Sequence, residues 1–395
     1  MKKILIIGAG FLQSFVIKKA KELGYYTIAI DKNQYSLGFQ YADEYGIVDI
    51  VDQKACLEYA ISKGIDGVIT AATDYGVLST AYIARKMRLP GLNYEVAKVI
   101  KDKYKIRNML FENKVDDVSQ YYEVYNKDFV DNLKDNIKFP VMVKPSDGSG
   151  SKAAKRVDSF VEMKDACNEA IRTSLVGKAL IEDFIEGEEF GVESFVYKGE
   201  VHILGVLGKK MTSPPDYAEL GHYMPSRLDS EMKIKEVVRN AIRSLNINFG
   251  AVNMDVLVTE DNRVCIVDVG ARMGGNLIGS HIIPKSTGID YMRILIRAAV
   301  GDEVDLKAHN NGGCIVTRLL ALKPGKIKSL PDFEKIKEEY KVDIYHDLKV
   351  GREIREYHNN IDGCGYVVSM LDDIKDAASR AEKAKRSIDL GIIRE

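Results

Sequence analysis

The sequence predicts a multidomain protein of mixed α/β and α+β class, and three observations carry that expectation. Strand and helix signals alternate up to Pro90, mixed strands gather around a Gly/Ser-rich loop after Phe139, and two apolar runs flank a turn between Asp255 and Asp268. With 395 residues, 46% of them hydrophobic, the chain can build about two to three domains with sizeable cores. Lys+Arg 57 against Asp+Glu 58 gives a formal net charge of -1. No global basic field therefore argues for nucleic acid or an anionic membrane, and any anion site has to be local. The five cysteines, Cys56, Cys167, Cys265, Cys314 and Cys364, contain no C-x-x-C pair. That speaks against a disulfide framework or a zinc cluster and for free thiols in a reducing cytoplasm. The apolar run from Ile4 to Ile7 stops at Gly8, too short for a signal-peptide core or a membrane span.

In order along the chain, ILIIGAG, FLQSFVIKKAKELG, YYTIAID and GVITAA, with a helical stretch ending near Pro90, read as a small doubly wound domain over 1–95 with a parallel sheet. Gly8-Ala9-Gly10 followed by Asp31 invites comparison with a dinucleotide fingerprint, but Gln13 stands at the third glycine position. Residues 96–138 read as a helical connection, in which Lys101, Lys103, Lys105 and Arg107 have a solvated helix face as their default reading. Residues 139–205 carry FPVMVKPSDGSGSKAAKRV and ALIEDFIEGEEFGVESFVYKGEVHILGVLG, the pattern of a small lid-like α+β unit. A core region over 206–305 contains a helix at 231–245 and the acidic hairpin. The last region, 306–395, has strands CIVTRLLAL and CGYVVSML and a closing helix from about Asp372.

The hairpin is the strongest chemical signal. Centring its turn on Asp261-Asn262, a two-residue loop of the kind that accepts positive φ, sets Asp255 opposite Asp268. Directly opposed residues have Cβ atoms about 4.5 to 5.5 Å apart, where like charges destabilise a sheet. A positive group is expected between them, and a divalent cation meets that need. The competing reading is a surface hairpin with solvated acids. Arg272 and Gly274-Gly275 follow at once, offering a fixed charge and close backbone approach to an anion. Upstream, the strand Val141-Met142-Val143 ends in Lys144 before Ser146-Asp147-Gly148-Ser149-Gly150-Ser151-Lys152. Such a loop can turn backbone N–H groups toward phosphate oxygens, though its spacing is not that of a Walker loop and a plain hairpin turn also fits. Ile181 to Glu189 is either a strand that reads a purine edge with a ribose-binding acid beyond it or a strand running into a solvated acidic turn.

Joined in order, these pieces resemble the ATP-grasp superfamily, with the closest likeness to carboxylate-amine ligases of the amino-acid-ligase type. The likeness rests on KDKYKIR, VMVKPSDGSGSKA, IEDFIEGEEFGVE, Glu219-Leu220-Gly221-His222, DVGARMGG, and the C-terminal VTRLLALKPGKI and DGCGYVVSM. It implies an ATP-grasp fold with a Rossmann-like domain before it and a C-terminal extension after it. It also implies an ATP-dependent ligase that forms an amide or peptide bond through an acyl phosphate, releasing ADP and phosphate, with an amino acid as one substrate. By this resemblance Lys103 and Lys144 would contact ATP phosphates, and Ser149, Gly150 and Ser151 would form the phosphate loop. Glu182 and Phe184 with Ile185 would hold adenine, and Glu189 would bind ribose. Asp255 and Asp268 would ligate magnesium, with manganese as a substitute. Arg272 would stabilise the transferred phosphoryl group, and His222 would orient substrate or stabilise charge near the acyl phosphate. Two departures stand out: the second metal acid, usually Glu, is Asp268, and the Asn usually two residues later is Gly270. Asn253 falls opposite Gly270 in the expected register, where its amide could fill part of the gap. The expected partners are a small-molecule carboxylate and an amine, without nucleic acid or membrane, in the cytoplasm, with a homodimer as the candidate assembly. The alternatives are a carbamoyl phosphate synthetase-like or carboxylase-like enzyme, though the sequence shows neither a duplicated half nor a biotin-accepting segment, and a nucleotide-binding or NAD-dependent protein using Gly8-Ala9-Gly10.

Overall fold

A computed structural model describes residues 1–134, 136–148, 152–214, 217–308 and 313–395. Strand β1 (Lys3–Ile7) is followed by α1 (Gln13–Glu22), β2 (Tyr26–Asp31), β3 (Glu44–Ile47), α2 (Gln53–Lys63), β4 (Gly67–Thr70) and α3 (Val77–Met87). The four strands form a parallel sheet in the order β3-β2-β1-β4. Ile4 to Ile7 are fully buried, as a central parallel strand covered on both faces requires. The dinucleotide alternative fails locally. Gln13 donates to the Ala71 carbonyl at 2.7 Å, and its Oε1 lies 2.8 Å from where a Cβ on Gly10 would be, so a side chain fills the space above the glycines. Asp31 accepts from the Ala9 and Asn33 N–H groups, each at 2.9 Å, and is occupied with its own turn.

Helices α4 (Tyr94–Ile100) and α5 (Lys103–Glu112) lead away from this sheet. Asp102 caps α5 by accepting from the Lys105 N–H at 3.1 Å, so Lys103 is its first residue. Next come β5 (Tyr121–Val124), α6 (Lys127–Asn132), β6 (Val141–Pro145), β7 (Lys155–Val157), α7 (Phe160–Thr173) and β8 (Ala179–Asp183). They make a small antiparallel sheet ordered β5-β8-β6-β7. Met163, Cys167 and Ala170 of α7 pack into its core. The expected phosphate-loop residues Ser149, Gly150 and Ser151 lie outside the described residues.

The rest of the chain supplies β9 (Glu188–Tyr197), β10 (Glu200–Met211), β11 (Glu219–Met224), α8 (Glu231–Ser244), β12 (Gly250–Val258), β13 (Val264–Gly270), α9 (Ile283–Thr287) and α10 (Tyr291–Ala299). Then follow β14 (Cys314–Leu319), β15 (Gly325–Ser329), α11 (Phe333–Tyr340), β16 (Asp343–His346), β17 (Glu353–Ile354), β18 (Gly365–Leu371), α12 (Ile374–Gly391) and β19 (Ile393–Arg394). An antiparallel sheet of eight strands runs β13-β12-β9-β10-β11-β14-β18-β16. Sheet membership therefore changes just before Glu188 rather than at residue 205, and the C-terminal strands β14, β16 and β18 extend the sheet that carries the acidic hairpin. Among the described residues no helix is long and apolar enough to cross a membrane.

The hairpin reaches the expected register by an unexpected route. Val258 pairs with Val264, so the loop is residues 259–263, and Asn262 alone in it has a positive φ, 60°. The two-residue Asp-Asn turn is thus corrected, because a turn of that type needs positive φ at both central residues. A bulge between Asp255 and Val256 then shifts the pairing by one, and Asp255 stands opposite Asp268 with Asn253 opposite Gly270.

Candidate active site

The ends of β4, β6 and β10, the junction of α4 with α5, and the β12–β13 hairpin converge on a cleft of about 460 Å³. Lys103, Lys144, Glu189, Asp255, Asp268 and Arg272 all line it. Residues 165 positions apart in sequence touch here: Lys103 donates to the Asp268 carboxylate. Lys144, on the penultimate residue of β6, donates to the Val267 carbonyl at 2.9 Å and pairs with Glu182 at 2.6 Å. Against the cost of burial, Lys103 and Lys144 hold the Asp268 carboxyl below its ordinary range.

The cationic run before and within α5 is not a solvated face. Lys101 lines the cleft beside Lys103 and donates to the Asp147 carbonyl at 3.3 Å. Burial pushes its ammonium below the usual lysine range, with Asp74 opposing. Arg107, one helical turn beyond Lys103, is buried between Asp116 at 2.8 Å and Glu182 at 3.0 Å. Lys105 remains exposed. This accounts for Glu182 differently from the adenine reading, since its Oε1 goes to Lys144 and its Oε2 to Arg107. The Phe184 N–H is likewise used, donating to the Pro140 carbonyl at 3.2 Å. Phe184 lies beneath the Arg156 guanidinium, 4.6 Å from ring centroid to Cζ, and neither it nor Ile185 is among the residues lining the cleft.

The positive charge expected beside the hairpin acids is present in the chain itself, and two lysines divide it. Lys103 serves Asp268, while Lys209 of β10 lies 2.7 Å from each of Glu189, Glu219 and Asp255. Glu189 therefore belongs to an acidic trio rather than standing alone as a ribose ligand. Burial pushes the Asp255 carboxyl up to about 6, with Lys209 pulling against it and Glu189 and Glu219 adding to it. Although burial disfavours a charged amine, the three carboxylates hold the Lys209 ammonium well above its usual range. Glu219 also accepts from Asn276, and from Asn360 at 3.0 Å, which ties the C-terminal region to the cleft. The trio offers one oxygen each within 4.8 Å of one another, a hard-oxygen set that fits magnesium. His222 is corrected as a cleft residue. It is 1% exposed and does not line the cleft, its Nε2 sits 3.7 Å from Glu219 Oε1, and its backbone donates to Thr317 Oγ1 at 3.0 Å, so it stands behind Glu219.

Arg272 is clamped from two sides. Asp74, after the end of β4, receives its Nε at 3.1 Å and its Nη2 at 2.9 Å, a two-pronged contact, and Asn253 Oδ1 receives Nη1 at 3.2 Å. Asn253 also donates to Glu193 Oε1 at 2.8 Å, so its amide is spent on this network rather than on the gap at 270. That gap has an occupant. A Cβ on Gly270 would lie 3.1 Å from Arg272 Cζ and 3.2 Å from Asp74 Oδ1, so the guanidinium and its partner fill the space of the family's Asn. Gly274 is required for a similar reason, since a Cβ there would stand 2.1 Å from Glu193 Oε1. The sequence reading missed Asp74, Glu193, Lys101, Lys209 and Glu219 as a carboxylate. For Asp74 a signal existed, because ligands of open α/β sheets gather at the carboxyl ends of strands, where GVITAATD places it.

Residues 137–280 match the ATP-grasp domain family, and residues 318–392 match the L-amino acid ligase C-terminal domain 2. The chain carries an ATP-grasp domain. Its C-terminal region is similar to that of L-amino acid ligases. This ATP-grasp chain is similar in fold to the L-amino acid ligase from Bacillus licheniformis, at TM-score 0.84 and 21% identity, covering 100% of this chain and 99% of that one. The phosphoribosylglycinamide synthetase from Anaerococcus prevotii aligns at TM-score 0.77 and 27% identity, again over 100% and 99%. The carbamoyl phosphate synthase large chain of Thermoanaerobacter pseudethanolicus is 22% identical over 330 residues, 79% of this chain but 30% of that protein's length.

Proposed function

We propose that this ATP-grasp protein joins a carboxylate to an amine through an acyl phosphate, with an amino acid as one substrate. The observation that carries the reading is the convergence of Lys103, Lys144, Arg272 and the acids Asp255 and Asp268 on one cleft, in a chain with the L-amino acid ligase C-terminal domain. A carboxylate oxygen of the substrate attacks the γ-phosphorus of ATP, ADP leaves, and the amine then displaces phosphate from the acyl carbon. The protein contributes position and charge rather than covalent chemistry. Lys103 and Lys144 face the phosphates. Arg272, immobilised by Asp74 and Asn253, presents a fixed positive charge to the transferring phosphoryl group and to the tetrahedral oxyanion that follows. Asp255 and Asp268, together with Glu189 and Glu219, are the residues that would hold magnesium, which would offset the phosphate charge of ATP. A panel of amino acids and other carboxylates, tested in pairs for orthophosphate release, checks this. The reading expects release to depend on a particular pair with ADP as the nucleotide product. AMP with pyrophosphate would replace it by adenylation.

A further inference from the structure

Lys209 lies on β10, opposite His222 of β11, with its side chain 1% exposed. An ammonium has three N–H donors, and Glu189, Glu219 and Asp255, each with an oxygen at 2.7 Å, use all three. Both oxygens of Glu219 are engaged, Oε1 by Lys209 and Oε2 by Asn276 and Asn360. These same acids bring one oxygen each within 4.8 Å of the others. A magnesium ion takes its oxygens at about 2.0–2.1 Å, so its place among them is the place the ammonium holds. Without Lys209 three buried carboxylates would repel one another, and with it they stand assembled.

We propose that Lys209 is an exchangeable internal counter-ion, which holds Glu189, Glu219 and Asp255 together in the metal-free enzyme and leaves them when a divalent cation binds. The inference rests on the proposed cation at this cleft and adds a competition to it. Binding a cation without nucleotide is weak, because the displaced ammonium gives up three ion pairs, and it strengthens when an anion in the cleft offers the ammonium a new partner.

Calorimetric titration of the nucleotide-free, full-length protein with Mn2+ tests the exchange. Lys209→Met keeps the side-chain length and removes the competing charge, and it is expected to bind Mn2+ tighter than wild type by about tenfold or more. Equal or weaker binding by the folded variant overturns the proposal. Since three unpaired carboxylates can cost that variant its fold, wild-type protein is also acetylated with an N-hydroxysuccinimide ester and read by peptide mass spectrometry. Lys209 is expected to be protected without metal and modified at saturating Mn2+, while exposed Lys105 stays unchanged. Protection that persists with Mn2+ bound overturns the exchange and leaves the proposed cation in place. Failure of wild type to bind Mn2+ with or without ATP removes both.

Discussion

Glu193 and Lys144 show how single side chains set the properties of the cleft. Glu193 is fully buried on β9, and burial pushes its carboxyl up to about 7, with Arg272 and the Gly274 N–H opposing. A carboxyl whose folded pKa lies above its unfolded value near 4.5 contributes stability that is present below about pH 4.5 and is lost as pH rises through about 7. Glu193→Gln preserves the acceptor for Asn253 and removes the titration. Thermal melts from pH 4 to 8 are expected to show wild type losing ground to the variant over that window, by at most about 3 kcal/mol. Parallel curves would mean that Glu193 does not titrate there. Lys144→Ala leaves Arg107 to neutralise Glu182, so the fold survives while ATP affinity measured by calorimetry falls about tenfold or more. Unchanged affinity would return Lys144 to a purely structural role. Neither Glu193 nor Lys209 was legible in the sequence, because an ionisable residue inside an apolar strand carries no spacing signal. Lys144 was, because it closes an apolar run just before a loop of small residues.

At the scale of the element, the hairpin was the most legible part of the chain, and its turn was the least. The alternation of apolar residues set which faces meet, so Asp255 found Asp268 although the loop was misread and the bulge was not foreseen. Local turn chemistry is decided by competing loops of similar energy, whereas a register that puts apolar side chains on the wrong face costs an entire core. The run from Lys101 to Arg107 was read as solvated because charge alone does not reveal a burial partner, and Glu182 lies 75 positions away. The same packing explains the glycines that follow the hairpin. Gly274→Ala drives a Cβ to 2.1 Å from Glu193 Oε1 and is expected to cost about 1–3 kcal/mol in urea unfolding. Gly270→Asn, which restores the family's residue, is expected to lower turnover by pushing Arg272 off Asp74. Full activity in that variant would show that the Arg272–Asp74 pair yields without consequence.

Over the whole molecule, an ion pair joins the end of the parallel N-terminal sheet to the hairpin sheet. Asp74 reaches Arg272 across 198 positions of sequence, and Met273 is bridged to Ala71 beside it. The fold class was legible, and six of the residues singled out in the sequence line one cleft, because each motif is local, but this clasp was not, because it joins two separately readable units. Asp74→Asn keeps the size and removes the charge. It is expected to reduce kcat about 10- to 100-fold with little change in ATP affinity, since the guanidinium loses its anchor rather than its charge. A change confined to KM would move Asp74 from positioning to substrate binding. The account as a whole depends on an acyl phosphate, and oxygen isotope transfer reports on it directly. With the carboxylate substrate labelled in both oxygens with 18O, attack on the γ-phosphorus makes one labelled oxygen the acyl–phosphate bridge, and displacement by the amine leaves that oxygen on phosphate. Mass spectrometry or 31P NMR of the products is predicted to find orthophosphate carrying a single 18O alongside unlabelled ADP. Label in AMP, or orthophosphate with none in a complete amide-forming reaction, would contradict it.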